Sequence, residues 1–130
     1  MSISRPTPLT CPFCGAKVPR PQPMKEESYE GSEGGFCICG AAYALDSTSH
    51  NLGRAMLDAY AFAAGSADLA LDLDPEKDLD EAVVKGYDLQ KHRVMPVKGG
   101  RYPGSGGVYF ARLRPEAAER LAEMKREGEG

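Results

Sequence analysis

At 130 residues, with 42% apolar content and a net charge of −3 at pH 7, the chain is sized for one compact domain or a small module plus one small domain. No apolar run is long enough to cross a bilayer. The acidic balance argues against non-specific coating of nucleic acid, although it allows a local basic face.

Residues 1–10 read as a disordered or extended lead. They contain Arg5, Pro6 and Pro8 and no apolar run, so no secretory signal is expected and the compartment is read as the reducing cytoplasm. The first chemical motif follows as Cys11-Pro12-Phe13-Cys14-Gly15. Residues 19–33, with Pro19, Pro21 and Pro23 and then Glu26, Glu27, Glu30 and Glu33, form a long polar excursion. The second motif is Cys37-Ile38-Cys39-Gly40, and the chain has 4 cysteines in all. A hairpin is expected over residues 35–46, with Phe36, Ile38, Tyr43 and Leu45 as strand residues.

Two thiol pairs separated by a short insert suit one tetrahedral ion, because structural zinc takes four ligands and thiolates are common among them. A glycine after each pair accepts the positive φ of a sharp turn, and turn N–H groups can stabilise sulfur charge. Other readings compete. Paired disulfides are rare in a reducing compartment. Cys-Pro-Phe-Cys is also a redox spacing, but that motif needs a strand before it and a helix starting at it. Here Val18-Pro19-Arg20-Pro21 follows, which cannot be helix interior. The ligand set alone also allows iron. Zinc, one ion per chain in a structural role, is the expected cofactor, with Cys11, Cys14, Cys37 and Cys39 as ligands.

These two motifs, with Ala42-Tyr43-Ala44-Leu45-Asp46 as the strand leaving the second, resemble the knuckles of a zinc ribbon over roughly residues 9–47. The resemblance implies an N-terminal module held by metal. Zinc ribbons serve in transcription factors, ribosomal proteins, enzymes and adapters, so the likeness implies a scaffold and leaves the activity open.

The expected organisation is therefore α+β: a zinc ribbon at 1–47 packed on a small helical and antiparallel-sheet domain at 48–130. Helices are expected at about 50–64, 67–73 and 75–85. The first carries Leu52, Ala55, Met56, Ala59, Tyr60 and Ala63 on one face and ends at Gly65. The third starts at Asp74-Pro75, an N-cap acid before proline. Strands are expected at about 87–98 and 107–113, and a last helix at about 115–127 behind Pro115.

Charge is segregated along the chain. Residues 66–81 sum to −6 and residues 82–114 to +6. The acidic run at Asp72, Asp74, Glu76, Asp78 and Asp80 fails as a calcium loop, since Lys77 and Val83 stand where glycine and glutamate are required. The basic run nominates Lys91, Arg93, Arg101 and Arg112 as candidate anion or nucleic-acid contacts, with tyrosines nearby for stacking. The alternative is strand charge balanced by the acidic run within the fold. Residues 99–107, rich in glycine and holding Arg101, lack the Gly-Lys-Ser/Thr of a phosphate loop and read as a hairpin tip. Of the two histidines, His50 follows the ribbon and His92 lies in the basic part. No nucleophile motif or paired-acid spacing is present. The leading expectation is a non-enzymatic adapter or regulatory protein with a protein partner. Two alternatives are a nucleic-acid or ribosome-binding protein, and a small enzyme taking an anionic substrate at the glycine loop.

Overall fold

A computed structural model describes residues 5–24, 33–46, 52–96 and 106–129. Along the chain the elements are β1 (Thr7–Pro8), β2 (Gln22–Pro23), β3 (Glu33–Phe36), β4 (Ala42–Asp46), α1 (Leu52–Ala64), α2 (Ala67–Ala70), α3 (Pro75–Asp78), β5 (Leu79–Asp88), β6 (Arg93–Val94), β7 (Gly106–Leu113) and α4 (Pro115–Glu129). The fold is α+β, with helices on an antiparallel sheet.

Among the described residues there is one seven-stranded sheet, ordered β1-β6-β5-β7-β4-β3-β2. Its centre is the long pairing of β5 with β7, from Leu79 opposite Leu113 to Tyr87 opposite Gly106. β7 then pairs with β4, placing Ala42 opposite Ala111 and Ala44 opposite Tyr109. Strands from residues 1–47 thus lie on both sides of the strands from residues 79–113, and the two segments share one sheet.

Alternation along β4 separates two packing layers, because successive side chains point to opposite faces. Ala42 and Ala44 face α1, with Ala111 and Leu79 beside them and Ala55, Ala59, Tyr60 and Phe62 of the helix above. Alanines on both elements let the helix backbone approach closely. Tyr43 faces the other way, with Phe110, Val108 and Tyr87, and the N-terminal Leu9, Cys11 and Val18 pack on that layer. Large aromatic side chains fill the space beneath the cysteine motifs.

The α1 helix ends as its sequence suggests: Gly65 takes φ 94° and its N–H reaches the Ala61 carbonyl at 2.8 Å. β7 and α4 also form where their local signals place them. Asp74 caps α3 by accepting from Glu76 N at 3.1 Å, and Asp78 returns the bond by accepting from Asp74 N at 2.8 Å.

Three expected elements change. The helix expected to 85 stops at Asp78, and Leu79–Asp88 is strand. Leu79, Ala82 and Val83 fit a helical face, but Leu79, Glu81 and Val83 equally fit one face of a strand. The β-branched pair Val83-Val84 and the β7 partner decide for strand. The helix expected over 67–73 closes at Ala70, with turn bonds from Asp72 N to Leu69 O and Leu73 N to Ala70 O. The strand expected over 87–98 is split. Tyr87 and Asp88 end β5 after a bulge at Lys85/Tyr87 with Gly86 at φ 82°, and the chain turns before β6.

Candidate metal centre

Each cysteine motif is a turn anchored at its ends. Thr10 bridges Lys17, Cys11 N donates to Ala16 O at 2.8 Å, and Gly15 N donates to Cys11 O at 2.8 Å with Gly15 at φ 79°. In the second motif Cys37 N donates to Ala41 O at 2.8 Å and Gly40 N to Cys37 O at 2.9 Å, with Gly40 at φ 94°. A side chain at either glycine would carry the cost of a left-handed backbone.

The two turns face one another. The four sulfurs all lie within 4.8 Å of one another. Cys11 and Cys39 approach to 3.7 Å, and Cys14 and Cys37 to 3.4 Å. Zinc–sulfur bonds of about 2.3 Å in a tetrahedron set sulfurs about 3.8 Å apart. The cluster therefore has the dimensions of a four-thiolate site. The cysteines are free, and their spacing is well beyond the roughly 2.0 Å of a disulfide. The donor set fits one metal ion, with no fifth protein donor required.

Burial grades across the cluster. Cys11 and Cys37 are buried, Cys39 is half-buried and Cys14 is exposed. Burial pushes the Cys11 thiol up and the Cys37 thiol up to about 12. Burial also works against the Cys39 thiolate. The Ala41 N–H and the neighbouring sulfurs outweigh it and bring Cys39 down to about 7. Four thiolates around a divalent cation leave a charge of −2, and a cation stands beside them. The Arg112 guanidinium lies 4.9 Å from the centre of the Phe13 ring, between the first two cysteines. Arg112 also bonds Asp80 at 3.2 Å. Asp80 and then the Cys39 sulfur hold its pKa above the usual value. Cys39, Gly40, Asp80 and Arg112 line one side of an open cleft of about 450 Å³ that reaches Pro115 and Ala118.

The remaining nominated residues do not gather. Arg112 is half-buried beside the cysteines. Lys91 and Arg93 are exposed at the β5–β6 turn and on β6. Asp80 faces Arg112 and Asp88 faces Arg93, so about eight strand residues, on the order of 25 Å, separate the two places. Arg101, His50 and most of the 99–107 loop lie outside the described residues. The acidic run is used internally: Asp80 pairs with Arg112 and Arg114, and Asp78 with Arg120 at 2.6 Å.

Two polar clusters carry no sequence motif. Glu81 Oε1 accepts from Tyr109 Oη at 2.6 Å and also from Tyr60 Oη, joining α1 to the sheet. Tyr87 Oη lies 2.6 Å from His92 Nδ1, and His92 Nε2 lies 3.0 Å from Val18 O. Because a carbonyl only accepts, Nε2 bears a proton and donates to Val18 O. Partners 74 residues apart in sequence leave no local signal that could have marked this contact.

Compared with protein-family models, curated proteins and solved structures, the chain matches none.

Proposed function

We propose that this is a zinc-ribbon-type cytoplasmic protein that works without catalysis, as an adapter or regulatory module presenting a surface to a macromolecule. Cys11, Cys14, Cys37 and Cys39 hold one structural zinc ion. The observation that carries this reading is the set of four sulfurs within 4.8 Å, drawn from two turns. Four thiolates complete a tetrahedron and leave no position open for water or substrate, which is the arrangement of structural rather than catalytic zinc.

The ion's work follows from what the turns are attached to. The first turn leads into Val18, buried on the aromatic layer, and the second joins β3 to β4. Clamping the two turns holds residues 9–20 against the sheet. Among the described residues, no helix is long and apolar enough to cross a membrane.

Metal analysis of protein purified without added zinc is the test. One zinc per chain is expected, with loss in a Cys37→Ser variant. A metal-free protein that is fully folded overturns the reading. Turnover abolished by a point substitution in the cleft beside Arg112 overturns its non-catalytic part.

A further inference from the structure

The fold sorts the basic residues into two groups that the sequence does not distinguish. Arg112 and Arg114 share the Asp80 carboxylate, Arg120 takes Asp78, and Arg54 takes Asp58 within α1. Three of these contacts use Asp78 and Asp80 of the acidic run that lies next to the basic run in sequence. Of the cations left over among the described residues, Lys77, Lys85, Lys125 and Arg126 are spread over α3, β5 and α4, and five others collect elsewhere.

They collect along the β1–β6 edge. β1 pairs with β6, placing Thr7 opposite Val94 and Pro8 opposite Arg93. Beyond the first cysteine turn, His92 Nε2 bonds the Val18 carbonyl at 3.0 Å, and Arg20 Nη2 donates to the Gln90 carbonyl at 3.2 Å. Residues 5–20 are thereby laid against residues 90–94. Arg5, Lys17 and Arg20 from one segment join Lys91 and Arg93 from the other, and all five are exposed. None of the five has a carboxylate partner among the described residues. Asp88 stands opposite Arg93 across the β5–β6 pairing without an ion pair to it, and its Oδ1 accepts the Lys91 backbone N–H at 3.1 Å. Arg20 also bonds the Tyr87 hydroxyl, and of its five N–H donors further ones remain after both bonds.

We propose that this edge binds the phosphate backbone of a nucleic acid. The inference rests on the reading above, because the metal-held first turn positions Lys17 and Arg20. Ammonium and guanidinium groups on an extended edge match a line of phosphates, and such contacts supply affinity without reading bases. The aromatic groups at this edge point inward: Tyr87 is 1% exposed and its hydroxyl is taken by His92. Base stacking therefore plays no part, which separates this site from a stacking platform. The plainer role of cations on an edge strand is to prevent pairing with another sheet, and that role predicts no affinity for phosphates.

The test uses the full-length, zinc-loaded protein with a labelled duplex DNA and a labelled single-stranded RNA, followed by fluorescence anisotropy. Both are expected to bind with little sequence preference. Each phosphate contact contributes about −0.9 to the log–log salt slope on duplex, so five contacts lower affinity roughly 10²–10³-fold between about 50 and 200 mM salt. An R20E/K91E/R93E variant is expected to weaken binding at least tenfold and flatten the slope, with zinc content and fold retained. R20Q/K91Q/R93Q serves as the milder variant, and R126E on α4 is expected to change little. Absent or salt-independent binding, equal behaviour of the edge and R126E variants, or tighter binding to a polyglutamate peptide or phosphatidylserine vesicles overturns the assignment. Zinc measured in the same samples separates the two readings. One zinc per chain with no nucleic-acid affinity removes this inference alone, whereas a folded, zinc-free protein removes the metal reading.

Discussion

His92 donates through Nε2 to the Val18 carbonyl at 3.0 Å, tying the segment after the first cysteine turn to the β5–β6 hairpin. His92 sits at φ 52°, a left-handed conformation uncommon outside glycine, and its ring stands edge-on to Tyr87. Replacing it with alanine removes both ring bonds and leaves a part-buried carbonyl without its donor. We expect His92→Ala to cost about 1–3 kcal/mol in urea unfolding and to speed amide exchange at residues 16–20. His92→Asn tolerates the backbone angle better and should cost less. Equal stability of wild type and both variants would show the tie to be idle.

Two glycines should respond to alanine with opposite signs. A Cβ at Gly34 would stand 2.1 Å from the Tyr43 carbonyl oxygen and 2.8 Å from the Phe62 ring. Gly34→Ala must displace backbone, and a loss of about 2 kcal/mol or more is expected, as for other overpacked sites. A Cβ at Gly53, within α1, meets nothing. Gly53→Ala should stabilise by up to about 1 kcal/mol through helix propensity. Thermal midpoints of the two variants check the sign directly.

Acid should loosen the α3–α4 end of the molecule. Arg120 beside Asp78, and Arg112 beside Asp80, hold both carboxyls below the ordinary value of 3.8. A lowered native pKa contributes stability that is present above the unfolded value and lost as pH falls through the native value. Solvent screening limits the effect, since these pairs are partly exposed. Arg120→Ala should move the acid-unfolding midpoint to higher pH. An unchanged midpoint by circular dichroism would refute the coupling.

Alkali should act through the tyrosines. Burial raises Tyr87 and Tyr109 from 10.0 to about 12, and Tyr60 is raised as well, by burial and then by Glu81. A raised native pKa contributes stability that is complete below the unfolded value and lost as pH climbs through the native one. Unfolding is therefore expected between about pH 10 and 12. Tyr109→Phe leaves Glu81 with Tyr60 as donor and should cost about 1–2 kcal/mol at neutral pH. Absorbance of ionised tyrosine near neutrality in the native protein would contradict the shifts.

Metal removal should unfasten one face of the sheet. Structural zinc contributes on the order of 10 kcal/mol of apparent folding free energy in small peptides. Here Cys11 and Val18 pack in the same layer as Tyr43, Tyr87 and Phe110. Chelation at neutral pH is expected to release that layer, read as loss of near-ultraviolet tyrosine dichroism, while α1 helicity persists in part. Unchanged tyrosine signals in verified zinc-free protein would refute the coupling.

Local signals were legible in proportion to how little they depended on partners. The cysteine turns carry their own glycines, α1 carries a repeating apolar face and a Gly65 stop, and Pro115 opens α4. Leu79–Asp88 was not legible in the same way, because Leu79, Ala82 and Val83 satisfy a helical face as well as a strand. Only the β7 backbone opposite them resolves the choice. Arg112 shows the same limit for the candidate site. Within a run of cations it is indistinguishable from Arg93, yet one lies on Phe13 and Asp80 and the other is exposed at an edge.

The order of residues by itself determined the thiol pairs, the starts of α3 and α4, the stop of α1 at Gly65, and the mixed α+β composition, since these arise from bonding and backbone preferences over a few neighbouring residues. Tertiary structure alone decided that strands from the first third lie on both sides of those from the last, and which cations remain without carboxylates. Those outcomes depend on contacts between residues far apart in the chain, such as His92 with Val18, and no local pattern encodes them.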